Sequence, residues 1–145
     1  MSVNTGIFKA YDIRGIYPDQ LDEQVAYAVG RAFVTLLEPR QVVVGRDMRL
    51  GSGPIGQAVT AGLTHQGADV VDIGMVPTPV VYYATFELGT GTGVAVTGSH
   101  NPPDYNGLKM VLGGETLSGD TIQSLRTRID QGNFSHGSGT YRQHD

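Results

Sequence analysis

The sequence predicts an α/β domain of three layers, α/β/α, around a mixed, mostly parallel sheet of four to five strands. Short apolar runs alternate along the chain with longer segments of helical character, and this alternation is typical of a parallel sheet covered by helices on both faces. In addition, Asn106-Gly107 lies between two β-prone runs, which predicts a tight turn and one antiparallel strand. Ligands of such sheets bind at the carboxyl ends of the strands.

The first part of the chain predicts a strand, a helix and a second strand. Ile7 to Tyr17 alternate loosely and predict a strand that leaves through a turn at Gly15. Leu21 to Leu37 place apolar residues on one face at helical spacing, which indicates an amphipathic helix. The apolar run Val42 to Val44 is typical of a buried strand, and it opens into the polar residues 45–49.

The middle of the chain repeats this order. Gly53-Pro54 predicts the start of a second helix, because proline suits the first helical turn. Residues 70–73 form the next apolar run and predict a third strand. Thr78-Pro79 then offers an N-cap and a first-turn proline for a third helix that runs through about Leu88.

A strand, a loop and another strand follow from Gly93 to Met110. Ser118 is the expected cap of a last helix, whose inward positions are Ile122, Leu125 and Ile129. We therefore expect one α/β domain over residues 1–132. Residues 133–145 are polar and contain glycine, which indicates a tail or the start of an inter-domain linker.

Composition excludes several classes of protein. The chain has 145 residues, the size of one domain, and a net charge of −4 with no basic run, so we expect no nucleic-acid partner. Cysteine is absent, which excludes disulfides and thiol catalysis. No apolar run approaches the ~18 residues of a membrane span, and the first residues lack a signal-peptide layout. We therefore expect a cytoplasmic protein without a membrane partner.

The stretch from Gly93 to Met110 carries the candidate chemistry: the hydroxyl of Ser99, the imidazole of His100 and the ammonium of Lys109. A free serine is a weak nucleophile that needs a neighbouring base or a metal. Neither the G-x-S-x-G elbow of hydrolases nor the phosphate-binding G-x-x-x-x-G-K-[ST] pattern is present. A plain surface hairpin with a rigid proline corner is the alternative interpretation.

Residues around the serine predict a stiff loop. Asn101-Pro102-Pro103 contains two prolines, which fix two φ angles and remove two backbone donors. Gly98 can take a positive φ and let a ligand or metal approach the backbone. The expected turn at Asn106 and Gly107 returns Lys109 toward the loop.

Three motifs resemble one enzyme family. TGSHNPPDYNGLK, from Thr97 to Lys109, closely resembles the phosphoserine loop of the α-D-phosphohexomutases, the family of phosphomannomutases and phosphoglucomutases. FKAYDIRG, from Phe8 to Gly15, resembles the family's N-terminal signature, and VVVGRDMR, from Val42 to Arg49, resembles a third motif. Their order and spacing are similar to the first domain of that family, over essentially the whole chain.

The resemblance implies phosphoryl transfer. In these enzymes the loop serine passes a phosphoryl group to a hexose phosphate, forming a hexose 1,6-bisphosphate, and takes back the other phosphate after the intermediate reorients. The resemblance makes Ser99 the phosphoryl carrier, with its oxygen or phosphate a ligand of Mg²⁺. It assigns Lys109 to electrostatic stabilisation and His100 to loop orientation or acid–base chemistry, leaving proton transfer open between them. Arg14 and Tyr11 are expected to contact the phosphosugar, and Arg14 also to assist catalysis.

The resemblance also implies missing parts. The family's proteins have four domains, and the later three hold an Asp-rich magnesium loop, a sugar-reading loop and a phosphate-binding domain that have no counterpart here. We therefore expect either an excised N-terminal domain or a natural single-domain relative. In the first case the protein is expected to be a monomer whose remaining domains supply the other magnesium ligands, and the isolated chain is expected to lack mutase activity. The alternatives are a non-catalytic module that binds a phosphosugar, or an interaction domain.

Other polar residues receive structural interpretations. The run of Arg46, Asp47 and Arg49 at a strand end is more often a structural ion-pair network than a ligand site. The remaining histidines have no ligand-like spacing, so we expect solvated side chains at His65, His136 and His144.

Overall fold

The computed structural model describes residues 4–99, 101–132, 134 and 137–144. Within them a short 3-10 turn (Thr5–Ile7) precedes seven strands: β1 (Ile13–Ile16), β2 (Gln41–Arg46), β3 (Asp69–Met75), β4 (Thr92–Val96), β5 (Tyr105–Leu112), β6 (Glu115–Thr116) and β7 (Tyr141–Gln143). The helices are α1 (Glu23–Leu37), α2 (Ser52–His65), α3 (Thr78–Glu87) and α4 (Gly119–Gln131).

All strands belong to one mixed sheet of order β1-β5-β4-β2-β3-β7, with β6 paired to β5. The pairs β2–β3, β2–β4 and β3–β7 are parallel, whereas β5 pairs antiparallel with β1, β4 and β6. Only β5 therefore runs against the common direction, which confirms the mixed, mostly parallel sheet. The described sheet has seven strands and not four to five, because the short strands β6 and β7 were not predicted.

Helices cover both faces of the sheet, as the alternating pattern predicts. The larger core lies under α1, α2 and α4 and contains the side chains of Val42 and Val44. The smaller core lies under α3 and contains Val43 from the same strand. Successive residues of β2 thus enter opposite cores, and a strand buried on both faces has to be a continuous apolar run.

Most predicted helix ends are observed. Ser118 caps α4 by accepting a hydrogen bond from the Thr121 N–H, and the three predicted inward residues of this helix are buried: Ile122, Leu125 and Ile129. Proline lies in the first turn of α2, as expected. Thr78 is not the cap of α3, however, because the helix already includes it and Pro77 holds the cap position without a side-chain hydrogen bond.

The first strand is shorter than predicted. Only Ile13–Ile16 form β1, and Gly15 lies inside this strand, paired with Asn106, and not in a turn. The chain doubles back earlier: the Lys9 N–H donates to the Asp12 carbonyl at 2.9 Å, and Phe8 bridges to Ile13. This reversal lets both apolar ends of the segment enter the core while Tyr11 at its tip stays exposed.

Strand β7 lies in the segment predicted to be a tail or a linker. It pairs with β3, with Val70 opposite Tyr141. The Tyr141 hydroxyl also donates to the Asp72 carboxylate at 2.6 Å. These contacts attach residues 140–143 to the edge of the sheet, while the domain boundary at residue 132 stays a prediction.

No helix in the described parts of the chain is long and apolar enough to cross a membrane.

Candidate active site

The candidate site lies where the chain order of the sheet reverses. Strand β2 has β3 on one side and β4 on the other, and the helices that follow β2 and precede β4 cover opposite faces. The loops that leave the carboxyl ends of β2 and β4 therefore meet at a topological switch point, where open α/β sheets bind their ligands. The loop after β4, residues 97–104, is the serine loop.

Ser99 has an unusual backbone conformation within the serine loop. Its φ is 53°, in the left-handed region, which costs about 1–2 kcal/mol for a residue with a Cβ. The Ser99 N–H donates to the Thr97 hydroxyl at 2.9 Å, and its side chain is exposed. Gly98 could take a positive φ, but in the structure it is Ser99 that does so, and strained backbone of this kind is typical of functional sites.

Lys109 lies beside the serine. It is opposite Ala95 in the antiparallel pair of β4 and β5, and its Nζ is 3.5 Å from the Ser99 Oγ. The pairing of β4 with β5 therefore brings the ammonium to the hydroxyl. The chain reverses its direction between these two strands, in the serine loop.

Asn106 and Gly107 do not form the predicted turn. Both residues lie inside β5, and the Asn106 side chain is buried, donating to the Ser52 hydroxyl at 2.8 Å and accepting from the Gly107 N–H at 2.9 Å. A Cβ at Gly107 would lie 2.5 Å from the Ile13 carbonyl oxygen. Glycine is needed here because β1 approaches β5 closely. The Asn-Gly signal is local, and here the pairing with β1 and the buried hydrogen bonds override it.

Asp47, directly after β2, holds the start of the serine loop. Its carboxylate accepts hydrogen bonds from the Gly98 N–H at 2.8 Å, from the Arg49 N–H at 3.0 Å and from the Ser52 hydroxyl. Burial by itself would raise the pKa of Asp47. The hydrogen bonds from Ser52, the two N–H groups and Thr97 outweigh burial and hold the pKa below its ordinary value.

Arg49 contacts the loop backbone. Its guanidinium donates at 2.5–3.0 Å to four carbonyl oxygens, those of Ser99, Asn101, Pro102 and Tyr105. Its Nε is 3.5 Å from the Asp47 carboxylate. The expected ion pair is therefore present between Asp47 and Arg49. Sequence reasoning missed the loop contacts because the two segments are far apart along the chain and no local pattern links them.

The predicted loop-shaping residues make further contacts inside the loop. The backbone N–H and the side-chain amide of Asn101 both donate to the Gly98 carbonyl at 3.0 Å. The Pro102 carbonyl accepts from the Tyr105 N–H at 2.9 Å. His100, the predicted orienting or acid–base residue, lies outside the described residues.

Three predicted site residues line one cavity of about 520 Å³. Tyr11, Arg14 and Lys109 are joined there by residues that sequence reasoning did not single out: Lys9, Ala10, Asp12, Tyr82 and Thr116. Lys9, Arg14 and Lys109 outnumber the single carboxylate of the cavity, which suits an anionic ligand.

Tyr82 reaches this cavity from α3. Its partial burial raises the pKa of its hydroxyl, and the charge of Asp12 raises it further, so the hydroxyl stays protonated and can donate a hydrogen bond. Most residues of α3 are apolar, so no polar face of the helix singles out this tyrosine. Lys9, in contrast, lies inside the FKAYDIRG motif and could have been found from it.

Other charged residues lie away from the serine loop. Arg46 and His65 line a second cleft of about 460 Å³ between α2 and the edge strand β7. His65 is not simply solvated, since its Nδ1 lies 2.8 Å from the Tyr27 hydroxyl. The His144 N–H donates to the Asp72 carbonyl at 2.8 Å, and His136 lies outside the described residues.

The described residues offer few ligands to a metal ion. In the described ranges no three His, Asp or Glu side chains come together as a metal site would need. The exposed Ser99 hydroxyl could give one oxygen, whereas the Asp47 carboxylate is already occupied by loop and hydroxyl donors. Mg²⁺ prefers six oxygen ligands, so the residues present fit one corner of such a site.

Comparisons with known proteins agree on one family. Residues 5–136 match the family model described as phosphoglucomutase/phosphomannomutase, alpha/beta/alpha domain I. A phosphomannomutase/phosphoglucomutase of Pseudomonas aeruginosa is 48% identical over 142 residues, which cover 96% of this chain and 31% of the relative. A phosphoglucomutase of Neisseria gonorrhoeae is 44% identical over 136 residues, with 92% and 30% covered.

Solved structures give the same picture. A phosphoglucomutase/phosphomannomutase family protein of Burkholderia thailandensis superposes with a TM-score of 0.93 at 47% identity, covering 99% of this chain and 34% of the other. A putative phosphomannomutase of Thermus thermophilus superposes with a TM-score of 0.82 at 27% identity, covering 95% and 32%. The chain thus spans about a third of the length of the relatives that it matches.

Proposed function

This chain belongs to the phosphoglucomutase/phosphomannomutase family, as its domain I, and from that premise we propose that Ser99 is the phosphoryl carrier of a phosphohexomutase. The whole enzyme would interconvert hexose 1-phosphate and hexose 6-phosphate. The observation that carries the proposal is the placement of Ser99: an exposed hydroxyl on a held loop at the switch point, with the Lys109 ammonium 3.5 Å away.

In the proposed reaction the phosphoryl group moves between two oxygens. The bond from phosphorus to the Ser99 Oγ breaks, a bond to a sugar hydroxyl oxygen forms, and the proton of that hydroxyl ends on the released Ser99 Oγ. After the hexose 1,6-bisphosphate reorients, the bond from its other phosphorus to the sugar oxygen breaks and a bond to the Ser99 Oγ forms. The Ser99 proton then passes to the released sugar oxygen, which leaves a hexose monophosphate. A phosphoserine carries about −1.5 to −2 charges, so Lys109 can stabilise the charge as it shifts between the oxygens.

The neighbouring cavity supplies the proposed sugar-phosphate contacts. Arg14 and Lys109 would pair with phosphate oxygens, with each charge-assisted hydrogen bond contributing about 1.5–3 kcal/mol. Tyr11 is 71% exposed at the rim, where it can pack against a sugar. We assign His100 to acid–base chemistry or loop orientation, as the family resemblance implies.

We also propose Mg²⁺ as a cofactor, with the Ser99 oxygen or its phosphate as one ligand. When bound, the ion would neutralise charge on the phosphoryl oxygens. The remaining ligands would come from other domains, because the described residues hold no group of three His, Asp or Glu side chains.

The isolated chain is expected to be inactive. Orientation of reactants lowers a barrier by roughly 7–11 kcal/mol, and each 1.36 kcal/mol is tenfold in rate. A chain with one wall of the site should thus show no measurable turnover. The monomeric state, the cytoplasmic location and the absence of a nucleic-acid partner stay predictions.

Intact-mass spectrometry tests the proposal. Protein of native length, incubated with a hexose 1,6-bisphosphate and Mg²⁺, should gain the mass of one phosphate, mapped to Ser99 by peptide sequencing. The Ser99→Ala variant should gain none. Absence of phosphate from the native-length protein would refute the carrier assignment.

A non-catalytic phosphosugar-binding module is the second candidate, because Lys9, Arg14 and Lys109 line one cavity within this chain. It predicts saturable binding of a hexose phosphate that Arg14→Ala weakens, with Ser99 never phosphorylated.

A further inference from the structure

We propose that Arg49 is a positioning residue for phosphoryl transfer: it fixes the orientation of Ser99 by binding the backbone of the serine loop, and does not itself bind the phosphoryl group. The proposal rests on the proposed role of Ser99.

The geometry of the guanidinium points to this role. One terminal nitrogen donates to the carbonyls of Ser99 and Asn101, at 2.9 and 2.7 Å, and the other donates to those of Pro102 and Tyr105, at 2.5 and 3.0 Å. The Nε faces the Asp47 carboxylate at 3.5 Å. A guanidinium has five N–H donors. The four on the terminal nitrogens are taken by these carbonyls, and the fifth, on Nε, faces the Asp47 carboxylate in an ion pair.

Its occupied terminal nitrogens separate Arg49 from the phosphate-binding cations. A phosphoryl group on Ser99 would find no free donor on these two nitrogens, and the Arg49 side chain is only 18% exposed. Lys109, in contrast, points its ammonium at the Ser99 Oγ. Arg49 therefore acts on the backbone side of the serine, and Lys109 acts on the oxygen side.

The loop needs such a contact because Ser99 is in a strained conformation. Its φ of 53° is unfavourable, so neighbouring contacts have to hold it. Arg49 binds the Ser99 carbonyl directly, while Asp47 binds the Gly98 N–H at 2.8 Å. Together the two contacts hold the peptide group before Gly98 and the peptide group after Ser99. Relaxation of the Ser99 φ to a negative value would swing the hydroxyl away from Lys109.

Gly98 fits the same arrangement. A Cβ at this position would overlap the guanidinium carbon of Arg49, so the planar group lies flat against bare backbone. Lysine at position 49 would keep the charge, but a compact ammonium on a flexible stem cannot reach four carbonyls in one plane. The site therefore requires a guanidinium and not merely a cation.

The test compares Arg49→Lys and Arg49→Ala with wild type, in protein of native length. Arg46→Ala is the matched control, since Arg46 lies on the same segment but lines the separate cleft by α2. We expect Arg49→Lys to lower kcat about 10- to 100-fold with KM within twofold, because an error of about 1 Å in placement can cost 100-fold. Millimolar guanidinium ion should restore part of the kcat of Arg49→Ala. Arg46→Ala should match wild type.

Hydrogen exchange provides a readout that does not depend on turnover. The amides of Gly98, Ser99, Asn101 and Tyr105 should exchange faster in Arg49→Lys, while amides of β2 and β4 keep wild-type protection. Unchanged exchange in the loop would overturn the proposal, as would a raised KM with normal kcat, which would make Arg49 a substrate ligand. If wild-type Ser99 never gains phosphate, the proposed function fails, and the exchange comparison still decides whether Arg49 holds the loop.

Discussion

Replacing Asn106 by alanine should destabilise the whole domain. The side chain is 1% exposed and makes two hydrogen bonds, to the Ser52 hydroxyl and from the Gly107 N–H. Each contributes about 0.5–1.5 kcal/mol, and a buried partner left without its hydrogen bond costs about 1–3 kcal/mol. The Ser52 hydroxyl keeps its hydrogen bond to Asp47 in the variant, which reduces the cost of losing Asn106. We therefore expect the free energy of unfolding to fall by about 2–3 kcal/mol.

Urea and thermal unfolding of the chain measure this loss. For a protein of this size, 1 kcal/mol moves Tm by about 2–4 °C, so Asn106→Ala should melt roughly 4–12 °C below wild type. Asn4→Ala is the matched control, because Asn4 also accepts a backbone hydrogen bond, from Gly6, but is exposed. Its effect should stay within about 0.5 kcal/mol. Equal stability of the two variants would refute the buried network and would favour the exposed turn that the sequence predicts.

Three further outcomes are expected. Gly98→Ala should displace the Arg49 guanidinium and slow phosphorylation of Ser99 at least tenfold; a normal rate, read by intact mass, would contradict the close packing. Lys109→Met should lower kcat by roughly 10- to 100-fold while its circular dichroism spectrum stays native. An unchanged kcat would show that the ammonium contributes no charge stabilisation. The pKa of Asp47 in the folded protein lies below its ordinary 3.8. The stability that its carboxylate gives to the serine loop is therefore complete above pH 3.8 and is lost as the pH falls below that value. Loop amides should exchange faster over this acid range in wild type, and Asp47→Asn should lack this step.

The sequence predicts the elements well where periodicity carries the information. Val42 to Val44 enter two cores and therefore form a continuous apolar run, and the inward residues of α4 recur at helical spacing. Both elements can be recognised from the pattern of apolar residues in the sequence. Strand β7 has only three residues, all exposed, and therefore carries no hydrophobic pattern. It is held by pairing with β3, which the sequence of residues 141–143 does not encode.

For the candidate site, local signals identify residues but not their contacts. The motifs point to Ser99, Lys109, Arg14 and Tyr11, and the last three do line one cavity. The dipeptide at Asn106 was misleading because turn propensity is weaker than burial of a polar network. Arg49 was missed as a loop ligand because its partners are carbonyl oxygens, which every residue possesses and no sequence pattern can mark.

Arg49, which holds the serine loop, lies 50 residues before Ser99, on the loop that follows the neighbouring strand β2. The familiar run from Thr97 to Lys109 is thus only half of a two-part module, and the other half is the segment Asp47 to Ser52. Anyone who transplants the loop into another α/β scaffold would have to move both segments, on adjacent parallel strands, at the spacing seen here. A synthetic peptide of the loop alone would carry the serine without the backbone geometry that sets its direction.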